Sequence, residues 1–168
     1  MPATTDRIDT KTVERRPVKF TTLSQLRAEL DRLDTSYRAG RLRTRGNWSP
    51  GQVLNHLATW LSYAYDGHPP QLNPPWFIKL ILKLRKKKFL AGPLPQGVRI
   101  PKIEGGTLGT EDRPWDEALA NYRKQIQRLE AGPPPHPNVI FGPMSHEEWK
   151  QMQLRHAELH LGFLDPGK

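Results

Sequence analysis

NWSPGQVLNHLATWLSYAYDG, residues 47–67, decides how this chain folds. Ser49 precedes Pro50, and Gln52 stands three residues after the serine. A serine in that place accepts a hydrogen bond from the backbone N–H three residues on, and the glutamine reaches back to the serine's own N–H. Proline suits the first helical position because its missing N–H would have no partner there. The arrangement predicts a helix over residues 50–65, ended before Gly67 and the prolines at 69 and 70. Within it Val53, His56 and Trp60 recur at steps of three and four, so a histidine shares the core-facing stripe.

Three further helical patterns flank this one. In TTLSQLRAELDRLDTSYRAG, residues 21–40, Leu23, Leu26, Leu30, Leu33 and Tyr37 keep the same period, with Gly40 as the stop. A third helix starts near Pro114, buries Trp115, Leu119, Tyr122, Ile126 and Leu129, and ends at AGPPPHP, residues 131–137. The last opens at MSHEEW, residues 144–149, where Ser145 and Glu148 form a second capping box and Glu147 and Glu148 suit the positive end of the helix dipole. Its stripe is Trp149, Met152, Gln153, His156, His160 and Phe163. No internal repeat and no long strand-like alternation accompanies these helices. The expectation is an all-α domain, a four-helix bundle over residues 20–168, preceded by a mobile arm at residues 1–19.

Between helices two and three lies a long crossover, including a basic insert at residues 74–113. Its first half, NPPWFIKLILKLRKKKFL, residues 73–90, is expected to form an extra helix over part of its length, packed across the bundle. Its second half, GPLPQGVRIPKIEGGTLGT, residues 92–110, is expected to be irregular and to border a pocket. Of the net charge of +9, much is local: Lys79, Lys83, Arg85, Lys86, Lys87 and Lys88 occur with no acid among them. Such a run is either a solvated face or a contact for an anionic partner or membrane surface, the contact being assigned to Lys83, Arg85, Lys86, Lys87 and Lys88. No zinc-finger spacing, helix-turn-helix or aromatic strand pattern goes with it, so specific nucleic-acid binding is not expected. Trp76, Phe77 and Ile81 suit a homodimer contact as well as an intramolecular one. The apolar run at residues 74–84 is too short and too charged to span a bilayer, and residues 1–20 hold no signal-like apolar core. A cytoplasmic location is the expectation.

The chain has no cysteine, so disulfides, thiolate metal sites and a cysteine nucleophile are excluded, and any metal must be held by His, Asp, Glu or backbone. His156 and His160, four residues apart, lie on one helical face. Alone they fit either partly buried, hydrogen-bonded core residues or two ligands of one ion. With His56, three imidazoles sit on two core-facing stripes, and one divalent ion satisfies all three. His68, His136 and His146 stand near prolines or at a helix start and read as surface or pocket-rim residues. Asn55 and Gln153 neighbour the candidate ligands and are candidates for orienting a ligand or substrate. Glu158 points away from the bisector of His156 and His160, and no general base stands out.

WSPGQVLNHL, residues 48–57, together with RHAELHL, residues 155–161, resembles the DinB-like superfamily of metal-binding four-helix bundles, also called DinB/YfiT-like, and within it a bacterial family of unknown function. The resemblance runs from about residue 20 onward, and the insert departs from it. It implies a metal, often zinc or nickel in relatives, held by one histidine of the second helix and two of the last, which fall on His56, His156 and His160. Among relatives the resemblance points to thiol-dependent transferases and isomerases that activate a low-molecular-weight thiol at the metal. From the chemistry of the ion itself, the leading expectation is a mononuclear metalloenzyme that lowers the pKa of a bound water or thiol, in transferase- or hydrolase-type chemistry on a small-molecule substrate. The competing expectation is a non-catalytic metal-binding or partner-docking bundle that uses segment 79–88.

Overall fold

The structure, a computed structural model, describes residues 7–167. Among them it is mostly helical, with α-helices α1 (Leu23–Arg38), α2 (Pro50–Asp66), α3 (Trp76–Leu84), α4 (Lys86–Ala91), α5 (Trp115–Ala131) and α6 (His146–Leu161). Two short strands, β1 (Arg43–Thr44) and β2 (Leu164–Asp165), pair antiparallel and tie the loop after α1 to the end of the chain.

Both expected capping boxes form. The Ser49 side chain accepts from the Gln52 N–H while Gln52 accepts from the Ser49 N–H, and Ser145 and Glu148 do the same at the start of α6. Each box satisfies two of the N–H groups that a helix start leaves unbonded. The four long helices surround one core: α2 and α1 each lie against both α5 and α6. Leu26, Leu30 and Leu33 of α1, Leu54, Leu57 and Leu61 of α2, Ile126 and Leu129 of α5 and Leu161 of α6 are its fully buried members.

Two polar clamps secure the edges. Glu158 accepts from the Phe20 N–H at 2.6 Å while Arg155 donates to the Phe20 carbonyl and pairs with Glu158 at 3.1 Å. Glu158 is thereby engaged by both partners at this edge. On the other side the Glu148 carboxylate serves the α6 cap and also receives Lys86 Nζ at 2.6 Å, holding α4 on α6.

The crossover differs from expectation in its first half. A helix does cover part of it, but α3 buries no residue and ends at Arg85, and it is α4, with Leu90 buried, that packs on α6. The reason lies in the sequence: apolar side chains occur nearly all round α3, so packing one side leaves the rest outside. The second half is irregular apart from a single turn of 3-10 helix at Glu104–Gly106.

Residues 1–6 of the expected arm lie outside the described residues. Residues 7–19 lie against the rest of the chain: Ile8 exchanges two hydrogen bonds with the Asn47 side chain (2.9 and 2.8 Å), and the Arg16 N–H donates to the Gly162 carbonyl at 2.8 Å.

Candidate metal centre

His56 points from the middle of α2 toward α6, which presents His156 and His160 one turn apart. One ring nitrogen from each of the three lies within 4.8 Å of the others. The ring centroids are 4.4 Å apart for His56 and His160, 5.1 Å for His56 and His156, and 4.8 Å for His156 and His160.

The orientation of His56 is fixed from outside. Its Nδ1 is 2.8 Å from the Leu108 carbonyl oxygen. A carbonyl only accepts, so Nδ1 carries the proton and Nε2 keeps the lone pair for a ligand. Trp60 Nε1 donates to the same carbonyl at 3.2 Å.

That carbonyl belongs to a strap, residues 108–113, laid antiparallel along α2 and held rung by rung. Ser49 Oγ donates to Asp112, Gln52 Nε2 donates to the Thr110 carbonyl at 2.9 Å, and Asn55 Nδ2 donates to the Gly109 carbonyl at 3.1 Å. Asn55 also reaches the Glu111 carbonyl and carboxylate at 3.3 and 3.2 Å. It therefore faces the strap and acts on His56 only through the backbone that orients it. Two glycines let the strap lie this close. A β-carbon at Gly51 would meet the Arg113 carbonyl oxygen at 1.9 Å, and one at Gly109, whose φ is +73°, would meet the Thr59 side chain at 2.7 Å.

Burial sets the charge state of the three rings. Desolvation pushes His56 down to about 4, only partly opposed by its hydrogen bond to Leu108. His156 and His160 are held well below the ordinary imidazole range by burial first, and then by the neighbouring imidazoles, with Arg15 adding to the effect on His160. Neutral imidazole is the form that binds a metal. The same shifts make the metal-free protein acid-sensitive. Above a pH of about 6.5 the histidines are neutral in folded and unfolded chains alike; below it the unfolded chain takes up protons that the folded one refuses, so stability falls with pH. With His56 near 4, that residue alone removes on the order of 3 kcal/mol between pH 6.5 and 4 at about 1.36 kcal/mol per unit. Urea unfolding of chelator-stripped protein across this window checks the loss; a midpoint that stays flat contradicts it.

The histidines open on a pocket of ≈ 550 Å³. Trp48 stacks on the His160 ring (centroids 5.5 Å, planes 10° apart), and Trp60 sits edge-on to His156 at 6.1 Å. Phe141, Trp149, Met152 and Phe163 add apolar wall, while residues 7–11 of the arm and residues 95, 97–99 and 105–107 of the insert complete the rim. The expected irregular half of the crossover does border the pocket. Gln153 also lines it, and its Oε1 is buried without a hydrogen-bond partner.

His68 stands on the rim, and His146 is occupied by the Leu129 carbonyl. Among the basic residues, Lys86 is tied to Glu148, whereas Lys83, Arg85, Lys87 and Lys88 are exposed. Asp9 is the single carboxylate residue among the described residues that line the pocket, and it belongs to the rim. Trp48 and the Leu108 carbonyl escaped the sequence reading. The only signal for Trp48 was its place immediately before the Ser-Pro cap, and a backbone carbonyl carries no residue-type signal at all.

The donor set fits a divalent ion. All three donors are neutral nitrogens, one is oriented by a backbone acceptor in the manner usual for metal-bound histidine, and the pocket leaves space beside them. Bonds of about 2 Å to nitrogen require the rings to close by an ångström or so from this spread. Neither the curated proteins nor the solved structures yield a match to the chain. One family model does match, over residues 12–167, and so takes in both histidine-bearing helices, the strap and the end of the arm. The chain belongs to that family, DUF1569, described as protein of unknown function.

Proposed function

We propose that this chain is a metal-dependent enzyme on a DinB-type four-helix bundle, with one zinc or nickel ion held by His56, His156 and His160. The observation that carries the reading is the convergence of three neutral imidazoles, their donors within 4.8 Å, on the wall of a pocket large enough for a small molecule. The bundle assignment is supported by the four long helices around one core and by histidines placed on the second and last of them.

A divalent ion held only by imidazoles keeps its full positive charge and lowers the pKa of a bound water or low-molecular-weight thiol toward neutrality. The chain supplies the rest. His56 is kept in the ligating tautomer by Leu108, and Trp48 and Trp60 limit water around the rings. Gln153 offers a free carbonyl oxygen that accepts a hydrogen bond from substrate. No buried carboxylate stands ready as a base among the described residues that line the pocket, which favours a reaction whose nucleophile is already ionised before substrate arrives.

The test is turnover by zinc- or nickel-loaded protein. Glutathione consumption with an electrophilic acceptor and hydrolysis of activated esters are assayed beside the stripped protein and His160→Ala. At least about a hundredfold excess for the loaded wild type in one assay is expected, since metal-ion stabilisation of developing charge is worth several kcal/mol. A loaded wild type that binds metal yet turns over no faster than the stripped protein and His160→Ala overturns the enzymatic reading in favour of a non-catalytic metal-binding bundle.

A further inference from the structure

A second feature lies outside the metal pocket and does not depend on it. Helix α3 is nine residues long, and Trp76, Phe77, Leu80, Ile81 and Leu84 are all exposed on it, Trp76 at 77% and Leu84 at 79%. At 3.6 residues per turn these five side chains fill one continuous arc of about 140°. Ile78 and Leu82, on the other side, are half-buried against the protein. Lys79 and Lys83 border the exposed arc, and Arg85, Lys87 and Lys88 follow directly, all but Lys79 exposed.

A solvated helix turns its polar face outward; here the outward face is the apolar one and the cations form its margin. An apolar patch of this kind on a free surface marks a contact. We propose that α3 and the following basic turn dock the protein on a membrane surface rich in anionic lipid, with the helix lying in the interface.

Charge decides between the occupants. No Asp or Glu occurs from residue 67 to residue 103, so the margin offers only positive charge. In a two-fold contact through the same face, Lys79, Lys83 and Arg85 of one copy would approach their own equivalents, with no acid from this segment to separate them. An anionic bilayer instead accepts the five apolar side chains among its acyl chains and the cations at its headgroups, where long lysine stems reach the surface. No described helix is long and apolar enough to cross a membrane, so the contact is interfacial. The face also adjoins the pocket region: Trp76, Leu80 and Lys83 border a depression lined by His68 and by Asn138, Val139 and Ile140, which line the metal pocket too.

The full chain is sedimented with vesicles of phosphatidylcholine alone and of phosphatidylcholine mixed equally with phosphatidylglycerol, at low and high salt. Expected are binding to the anionic vesicles only and release by salt. Two variants touch only exposed side chains, with folding checked by circular dichroism: Leu80→Ser with Leu84→Ser, and Lys83→Gln with Lys87→Gln and Lys88→Gln. The serine pair is expected to abolish binding. The glutamine triple is expected to weaken it by on the order of a hundredfold, about fivefold per cation. Wild-type protein that stays in solution with both vesicle types overturns the proposal, as does binding that neither variant alters. A dimer in gel filtration that the serine pair converts to monomer, without vesicle binding, assigns the face to a second copy and likewise overturns it.

Discussion

Zinc added to chelator-stripped protein is expected to raise its thermal midpoint by about 10 °C when free zinc stands at roughly 1,000 times its dissociation constant. The figure follows from mass action. A ligand that binds only the folded state at that excess contributes about 4 kcal/mol, and a chain of this size shifts by about 2–4 °C per kcal/mol. The folded state alone assembles the site, because His56 and the pair His156 and His160 lie about a hundred residues apart in sequence and meet only where α2 packs on α6. His156→Ala and His160→Ala are each expected to remove most of the shift at the same zinc concentration. Both residues sit partly exposed at the pocket wall, so these variants leave the core intact. A zinc shift of equal size in both variants, followed by differential scanning fluorimetry, would place binding elsewhere on the protein.

The second large effect concerns the strap. Gly109→Ala is expected to destabilise the fold by on the order of 3 kcal/mol, combining left-handed backbone strain with overpacking. Both causes are visible at that residue: its φ is +73°, and a β-carbon there would lie 2.7 Å from the Thr59 side chain on α2. The consequence extends to the metal because the next carbonyl back in the chain, that of Leu108, holds His56. Loss of such an orienting partner costs about 10–100-fold in metal affinity. Gly105→Ala is the matched control, with φ +72° but nothing within 4 Å of the added carbon. It is expected to cost about 1 kcal/mol of strain and to leave zinc affinity unchanged. If Gly109→Ala binds zinc as tightly as the wild type, the Leu108 carbonyl has no part in the site.

The helices and the histidine cluster could be read from local pattern because local physics makes them. Ser49 with Gln52 and Ser145 with Glu148 start α2 and α6 where their side chains meet the unbonded N–H groups, and three-and-four spacing turns His56, His156 and His160 toward a shared interior. The strap was not legible. Most of its contacts run from α2 side chains to backbone carbonyls, those of Leu108, Gly109, Thr110 and Glu111, and a carbonyl is the same whatever residue bears it. Asn55 shows the limit of sequence proximity: next to a ligand in the chain, it turns to the strap and not to the pocket. Helix α3 shows another. An apolar run states that burial is favourable without saying against what, and here the core is already filled by the four long helices.

The central claim is a single metal ion on three histidines, and elemental analysis of untagged protein purified without chelator tests it most directly. The measurement is made beside a His156→Ala, His160→Ala double variant. About one equivalent of zinc or nickel per chain in the wild type, lost in the variant, is the expected result. A wild type that is metal-free and takes up neither ion on reconstitution contradicts the account, and returns the three imidazoles to the core as neutral side chains.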